Sequence, residues 1–279
     1  MKNYVVITGA SSGIGAAAAT KFAEKGKHLI LIARRKERLE TLKTQLQQAF
    51  PTTDVVLVPF DLTQVDQLEH LFQSLDAYFI ETWINNAGFG LYRQVSEQSL
   101  ATVRELMQLN VEALTILSTL YVQKYNQQAG TQLINVSSAG GYTMVPTAVT
   151  YCASKFYVSA FTENLALELS AANALMQAKV LAPAATQTEF GQVANSVTHY
   201  DYETAFPRYH TSEEMATFLI ELYESEAIVG SIDREHFQFT LSNNKFSYAQ
   251  RGNQQPIVDY APPSIFINLS TPFLSCYCC

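Results

Sequence analysis

Basic charge, cysteine and long apolar runs are all scarce in this chain. Lysine and arginine number 18 against 25 acidic residues, a net charge of −7. Proteins that grip nucleic acid through its phosphates carry a basic face, so no nucleic-acid partner is expected. No stretch approaches the length of apolar sequence that a membrane span requires, and none is expected. The opening "MKN" leads straight into "YVVITG", with no charged leader, long apolar region or small-residue cleavage site. Of four cysteines, Cys152 stands alone while Cys276, Cys278 and Cys279 crowd the C-terminus. That usage fits a reducing cytoplasm better than a disulfide framework. Three thiols without a neighbouring His or a fourth Cys also make a poor zinc site, so no metal is expected.

What is abundant is apolar sequence, 48% of 279 residues with 15% charged, enough for one large α/β domain or two small ones. Short β-branched runs alternate with helix-period segments: "YVVIT", Gly13 to Gly26, "HLILIA", Lys36 to Phe50, "DVVLVPF". The pattern continues through "TWIN", a long helix from about Leu100 to Tyr125, "QLINVS", a helix from about Tyr151 to Ala172, and "AKVLA". Such alternation predicts right-handed βαβ units and a doubly wound, Rossmann-type parallel sheet between two helix layers, an α/β single domain of three layers, α/β/α. "HFQFTL", His236 to Leu241, reads as a last strand. Residues 1–245 are expected to form the dinucleotide-binding catalytic domain, and 246–279, rich in Asn, Gln and Pro, an extended tail.

The first strand runs into "TGASSGIG", placing Gly9, Gly13 and Gly15 at a strand-to-helix turn. Glycine permits close backbone approach there, and the helix N-terminus offers N–H groups to a pyrophosphate. The spacing is G-x-x-x-G-x-G rather than the general G-x-G-x-x-G, and taken alone it is weak evidence. Downstream lies "YCASK", a phenol and an ammonium at i and i+4, which share one face of a helix. Such a pair is often ordinary surface unless its context says otherwise.

Here the context does. "TGASSGIG" (Thr8 to Gly15), "DLT" (Asp61 to Thr63), "NNAG" (Asn85 to Gly88), Asn110 in "LNVEA", "NVSS" (Asn135 to Ser138) and "YCASK" occur in order. Together they resemble the short-chain dehydrogenase/reductase family, classical type, over about residues 3–190. The resemblance implies a nicotinamide cofactor. It places Gly9, Ser11, Ser12, Gly13, Ile14 and Gly15 at the pyrophosphate turn, Asp61 with Leu62 at the adenine, and Asn86, Ala87 and Gly88 along the cofactor cleft. It also implies that Lys155 bonds the nicotinamide ribose beside Tyr151, that Pro183 follows the sixth strand, and that Thr188 meets the carboxamide.

The end of the second strand reads "LIARRKERL", with Ala33 where an NAD site would carry an acid, then Arg34 and Arg35. A guanidinium binds phosphate bidentately, which favours NADP(H) over NAD(H); the other reading is a solvated basic helix start. For the chemistry, hydride addition to a carbonyl leaves an oxygen that needs a proton, and Tyr151 is a suitable acid if its pKa falls. Lys155 supplies positive charge and burial opposes it; the charge is expected to win. Ser137 and Ser138 end the fifth strand; one of them can donate to the carbonyl oxygen, and the resemblance selects Ser138. A lone Asn on an apolar helix face is commonly a satisfied core amide, whereas the resemblance makes Asn110 a proton-relay residue near Lys155. The five histidines show no ligand spacing.

Two departures from the family stand out. "PAATQTEF" carries Ala184 where a glycine is usual, which puts the turn geometry in doubt, and the family's common C-terminal strand with its Gly-rich ending is absent, which weakens any transfer of tetramer geometry. Glu189 to His210 should form the substrate loop, its Phe and Tyr content suggesting an apolar pocket. The expected function is NADPH-dependent reduction of a small or medium aldehyde or ketone. The alternatives are an alcohol dehydrogenase running oxidatively and a non-catalytic NADPH-binding regulator. A homodimer or homotetramer is expected on a face built from Leu106, Leu117, Leu120, Phe161, Leu165 and Leu169.

Overall fold

The computed structural model describes residues 2–233 and 235–249. One eight-stranded sheet runs through it in the order β3-β2-β1-β4-β5-β6-β7-β8. The strands are β1 Asn3–Thr8, β2 His28–Ala33, β3 Val55–Pro59, β4 Phe79–Asn85, β5 Gln132–Val136, β6 Gln177–Ala182, β7 Val229–Ile232 and β8 Phe239–Ser242. All pairs are parallel except β7 with β8. Helices α1 Gly13–Glu24, α2 Lys36–Ala49, α3 Leu68–Gln73, α4 Leu100–Met107, α5 Leu114–Tyr125, α6 Val149–Ala171, α7 Phe190–Asn195, α8 Tyr202–Ala205 and α9 Ser212–Glu224 complete the fold. Residues 1–246 form one compact unit. The separate unit from 247 onward is described only in the single turn Ser247–Ala249, so most of the expected tail, with Cys276, Cys278 and Cys279, lies outside the described residues.

The central strands form because their residues are largely apolar on both faces, as a parallel sheet covered by helices on two sides requires. Successive side chains of β1 go to opposite cores. Val5 and Ile7 join Phe22, Leu29, Leu31 and Met215 on one side. Tyr4 and Val6 join Ile30, Ile32, Trp83 and Tyr121 on the other. Each fully buried Leu or Ile contributes about 1.5–3 kcal/mol through removal from water. Because β1 pairs with both β2 and β4, the chain winds in opposite directions from β1, and a crevice opens at the carboxyl ends of these strands. Buried amides tie the crevice floor together: Asn85 donates to Asn135 at 2.9 Å and to Ser118 at 3.0 Å, and Asn135 donates to Thr162 at 2.9 Å.

Three expectations are corrected. The strand after the sixth exists: β7 pairs parallel with β6, but "VGSI" is too short and too interrupted by Gly and Ser to show a pattern. The last strand starts at Phe239 rather than His236 and runs antiparallel. The long helix from Leu100 is not continuous, because a π-helical segment, Gln108–Ala113, separates α4 from α5.

The end of the compact unit is held by one buried carboxylate. Glu163 on α6 accepts from the Tyr142 hydroxyl at 2.6 Å and from the backbone N–H groups of Lys245 and Phe246 at 2.6 and 3.1 Å. Phe246 stacks on the Tyr142 ring with centroids 5.2 Å apart. Replacing Glu163 by Ala strands three donors, and the expected loss is about 3 kcal/mol. For a chain of this size that corresponds to a melting temperature lower by roughly 6–12 °C, readable by thermal unfolding. A shift below about 2 °C would show that the carboxylate carries little of the anchoring.

Candidate active site

At the carboxyl end of β1 the chain turns too tightly for most side chains. Gly9 has φ +68°, and a Cβ there would lie 2.9 Å from the Ala87 Cα. A Cβ on Gly15 would lie 2.5 Å from the Gly9 carbonyl oxygen. Thr8 fixes the opposite wall: its hydroxyl accepts from the N–H groups of Asn86 and Ala87 at 2.9 and 3.0 Å, while the Asn86 amide donates to the Thr8 carbonyl at 2.9 Å. Ser12, at the N-cap of α1, makes no side-chain cap, leaving the first-turn N–H groups to face the crevice. Gly13 abuts the Thr188 methyl, and Ile14 packs into the core beside the turn. A bare backbone cradle at a helix N-terminus fits a dinucleotide's pyrophosphate.

Past the carboxyl end of β2 lie Arg34 and Arg35, where the cofactor's adenosine end is expected. Arg35 donates to Ser11 at 3.1 and 3.2 Å, to Ser12 at 2.7 Å and to Glu189 at 2.7 Å. Arg34 is more exposed, within 3.8 Å of Asp61 and 3.7 Å of Glu105. Asp61 accepts from the Thr63 N–H and hydroxyl in a local turn, and the Leu62 side chain is buried in the core.

The reacting end lies where β4, β5 and α6 meet. Lys155 is buried, and its ammonium donates to the Val136 carbonyl at 2.9 Å and sits 6.0 Å from the centre of the Tyr151 ring. Gly88 leaves room for it: a Cβ there would lie 3.4 Å from Lys155 Nζ and 3.0 Å from Asn110 Oδ1. The Asn110 amide is committed, accepting from Phe89 N at 3.1 Å and donating to Phe89 O at 2.9 Å and Ser154 Oγ at 3.2 Å. The π-helical turn carries Asn110 in its middle, and such turns are frequent at functional sites. Ser137 is occupied, donating to the Lys155 carbonyl at 2.9 Å and bonding Ser159 at 2.7 Å. Ser138 accepts from Gly140 N at 3.0 Å, and its hydroxyl is close enough to the Tyr151 phenol to favour the ionised form.

Burial, not charge, sets the phenol. Desolvation pushes Tyr151 above its ordinary value, the neighbouring Tyr92 and Cys152 add to the rise, and the Ser138 hydroxyl opposes it. The expected lowering by Lys155 is not found, because the ammonium is turned toward Val136. Burial also lowers Lys155 itself, to about 8. The phenol is therefore held protonated beside a lysine whose hold on its own proton burial weakens.

An apolar wall closes the site. Leu91, Leu106, Ala148, Tyr151 and Cys152 cluster there, with Phe89, Tyr92, Val103 and Phe190 packed against them. Phe190 lies 5.3 Å from Tyr151 and 6.2 Å from Tyr92 between ring centroids. Phe190 opens α7 inside the segment expected to form the substrate loop, whose backbone is pinned where the Tyr202 hydroxyl accepts from Gly191 N at 3.0 Å. Pro183 accepts from Ala139 N at 2.7 Å, and Ala184 has no positive φ, so this turn accommodates an alanine without strain. Thr188 accepts from Phe190 N at 3.0 Å.

The family model for short chain dehydrogenases matches residues 3–198. The chain belongs to the short-chain dehydrogenase/reductase family. It is 33% identical over 198 residues to sulfoacetaldehyde reductase 2 of Chromohalobacter salexigens, spanning 68% of this chain and 75% of that one. Among solved structures, a short-chain dehydrogenase from Sphingobium yanoikuyae in complex with NADPH superposes with a TM-score of 0.76. It is 29% identical and covers 84% of this chain and 89% of its own. A bulky-bulky ketone specific alcohol dehydrogenase from Comamonas testosteroni gives 0.72 at 27% identity, covering 83% and 86%. As a member of this family the chain is an oxidoreductase.

The short-chain dehydrogenase/reductase motifs thus converge on one crevice, but several contributors had no motif. Tyr92 and Phe190 come from irregular stretches without periodicity. Glu189 and Arg38 meet across 151 positions of sequence, which no local pattern reveals. The leucines assigned to a subunit contact are mostly internal: Leu106, Leu117 and Leu169 are buried within the chain, and Leu120, Phe161 and Leu165 are half-buried.

Proposed function

We propose that this protein is an NADPH-dependent reductase of small or medium aldehydes and ketones with an apolar body. The observation that carries the reading is the buried Tyr151 phenol, set beside Ser138 and the buried Lys155 ammonium above a backbone cradle for a dinucleotide. The reducing activities named for the sulfoacetaldehyde reductase relative and the NADPH in the Sphingobium structure support it. Gly9, Ser11 to Gly15, Asp61, Asn86 to Gly88, Pro183 and Thr188 would hold the cofactor, which supplies a hydride when bound. Ser138 and Tyr151 hold the carbonyl oxygen between two hydroxyls, and Tyr151 delivers its proton as that oxygen gains negative charge. Lys155 offsets the charge left on the phenol and holds the nicotinamide ribose. Asn110 positions the Phe89 turn beside Lys155 and anchors the relay that returns a proton to it. The wall of Leu91, Tyr92 and Phe190 gives the site an apolar lining that accepts an apolar substrate body. A phenol held protonated by burial favours reduction over alcohol oxidation.

Cofactor choice rests on Ala33, Arg34 and Arg35, with Arg35 nearest the Ser11–Ser12 turn. NADPH is expected to bind at least tenfold tighter than NADH, about 1.4 kcal/mol. Arg35→Ala should remove most of that preference and Arg34→Ala part of it, with NADH affinity almost unchanged, by fluorescence titration. Equal affinities in the wild type would sink the assignment.

No helix among the described residues is long and apolar enough to cross a membrane. With Cys152 buried and unpaired, a cytoplasmic setting is proposed. A homodimer or homotetramer is proposed on the remaining outer face of α5 and α6, where Leu120, Phe161 and Leu165 are half-buried and Tyr157 and Leu167 exposed. Light scattering at micromolar concentration should give at least twice the mass of one chain; a single-chain mass would contradict it.

A further inference from the structure

Arg35, the guanidinium assigned above to the cofactor's 2′-phosphate, is already engaged by an anion of the chain. Its Nη1 donates to Glu189 Oε2 at 2.7 Å, while Nε and Nη2 hold Ser11 and Ser12. The second Glu189 oxygen pairs with Arg38. Burial works against this carboxylate, but the bonds from Arg38 and Arg35 outweigh it and hold the group below its ordinary pKa. Glu189 is the residue immediately before α7, and the next ring, Phe190, covers Tyr151. One ion-pair cluster therefore joins the phosphate end of the crevice to the lid over the reacting end.

A 2′-phosphate on Arg35, Ser11 and Ser12 places a dianion where the Glu189 carboxylate already lies. Two anions do not share one guanidinium without repulsion, and the weaker one yields. Once displaced from Arg35, Glu189 retains only Arg38, a half-exposed pair of the kind that water and salt weaken. The Tyr202 hydroxyl, accepting from Gly191 N at 3.0 Å, is a second tie on the same loop that involves neither Arg35 nor Arg38.

Resting on the NADPH reading above, we propose that Glu189 is an internal competitor for the 2′-phosphate site. The carboxylate latches the lid onto Arg35, and the phosphate displaces it, freeing Phe190 from Tyr151. Cofactor selection then has two parts. A phosphorylated cofactor gains the arginine and also opens the substrate space. An unphosphorylated one leaves the latch closed. Glu189 thereby becomes a specificity-determining residue outside the arginine pair, acting on both nucleotide affinity and substrate access.

The test uses 2′,5′-ADP and 5′-AMP, which differ only in the 2′-phosphate, with hydrogen exchange of residues 189–200 and calorimetric affinities as readouts. In the wild type, saturating 2′,5′-ADP should raise exchange across the start of α7 several-fold, and 5′-AMP should leave it unchanged. Glu189→Gln should show raised exchange without nucleotide. It should bind 2′,5′-ADP about tenfold tighter than the wild type, with 5′-AMP affinity within twofold. The latch is overturned if 2′,5′-ADP binds tightly and exchange stays the same or falls, or if Glu189→Gln changes both affinities by the same factor. Failure of 2′,5′-ADP to bind better than 5′-AMP to both proteins would remove the NADPH reading together with the latch. Should Glu189→Gln prove unstable, the two-nucleotide comparison on the wild type decides alone.

Discussion

Tyr151→Phe is expected to lower carbonyl reduction by about 10²- to 10⁴-fold, with NADPH affinity within about twofold of the wild type. The substitution removes one oxygen from a ring buried against Tyr92 and Phe190, so packing and stability are preserved. What disappears is the proton donor next to Ser138. Turnover on the best substrate and fluorescence titration of NADPH separate the two effects. Loss of both together would mean a damaged fold, and loss of neither would mean that Tyr151 is not the acid.

The second large effect is in pH. Burial lowers Lys155 to about 8, so in the free protein the ammonium is complete below that pH and lost above it. Tyr151 is shifted the other way and stays protonated throughout, so the phenol cannot cause a fall in this range. The value of kcat/KM for NADPH, which reports the free enzyme, should therefore drop about tenfold per pH unit above pH ~8. Lys155→Arg, permanently charged, should move that limb upward by more than one unit. Lys155→Met should depress reduction at every pH and weaken NADPH, the same ammonium being the one proposed to serve phenol and ribose. A profile flat to pH ~10 would show that the charge on Lys155 is not required.

These two residues also show how far sequence reasoning reaches. Spacing at i and i+4 put Tyr151 and Lys155 on one helix face, and the strand-ending "NVSS" put Ser138 near them. Spacing did not show that Lys155 Nζ turns to the Val136 carbonyl, nor that Phe190 and Tyr92 bury the phenol. Those two facts reverse the expected direction of the Tyr151 shift. They depend on loops brought together by the change of winding direction at β1. The strands β1 to β6 were legible because each is a short, largely apolar run between helix-period or turn segments, even where, as in β3, most residues are only half-buried. β7 was not, with a Gly and a Ser in four residues.

The π-helical segment escaped notice for a different reason. Buried Leu106, Asn110, Ala113 and Leu117 recur every three or four residues, a pattern that an unbroken helix also produces. The widened turn leaves no gap in that sequence pattern. The same regularity misled the expectation of a subunit face, because α5 and α6 both lie on the sheet and consume Leu117 and Leu169 in its core.

The most direct test of the account follows the hydrogen itself. The protein would be incubated with NADPH deuterated at the transferable C4 position and a panel of apolar aldehydes and ketones, and the products analysed by mass spectrometry. The wild type should give an alcohol carrying one deuterium on the former carbonyl carbon, and Tyr151→Phe only traces of it. Tight NADPH binding with no deuterated alcohol from any member of the panel would contradict the account and leave a nucleotide-binding protein without turnover.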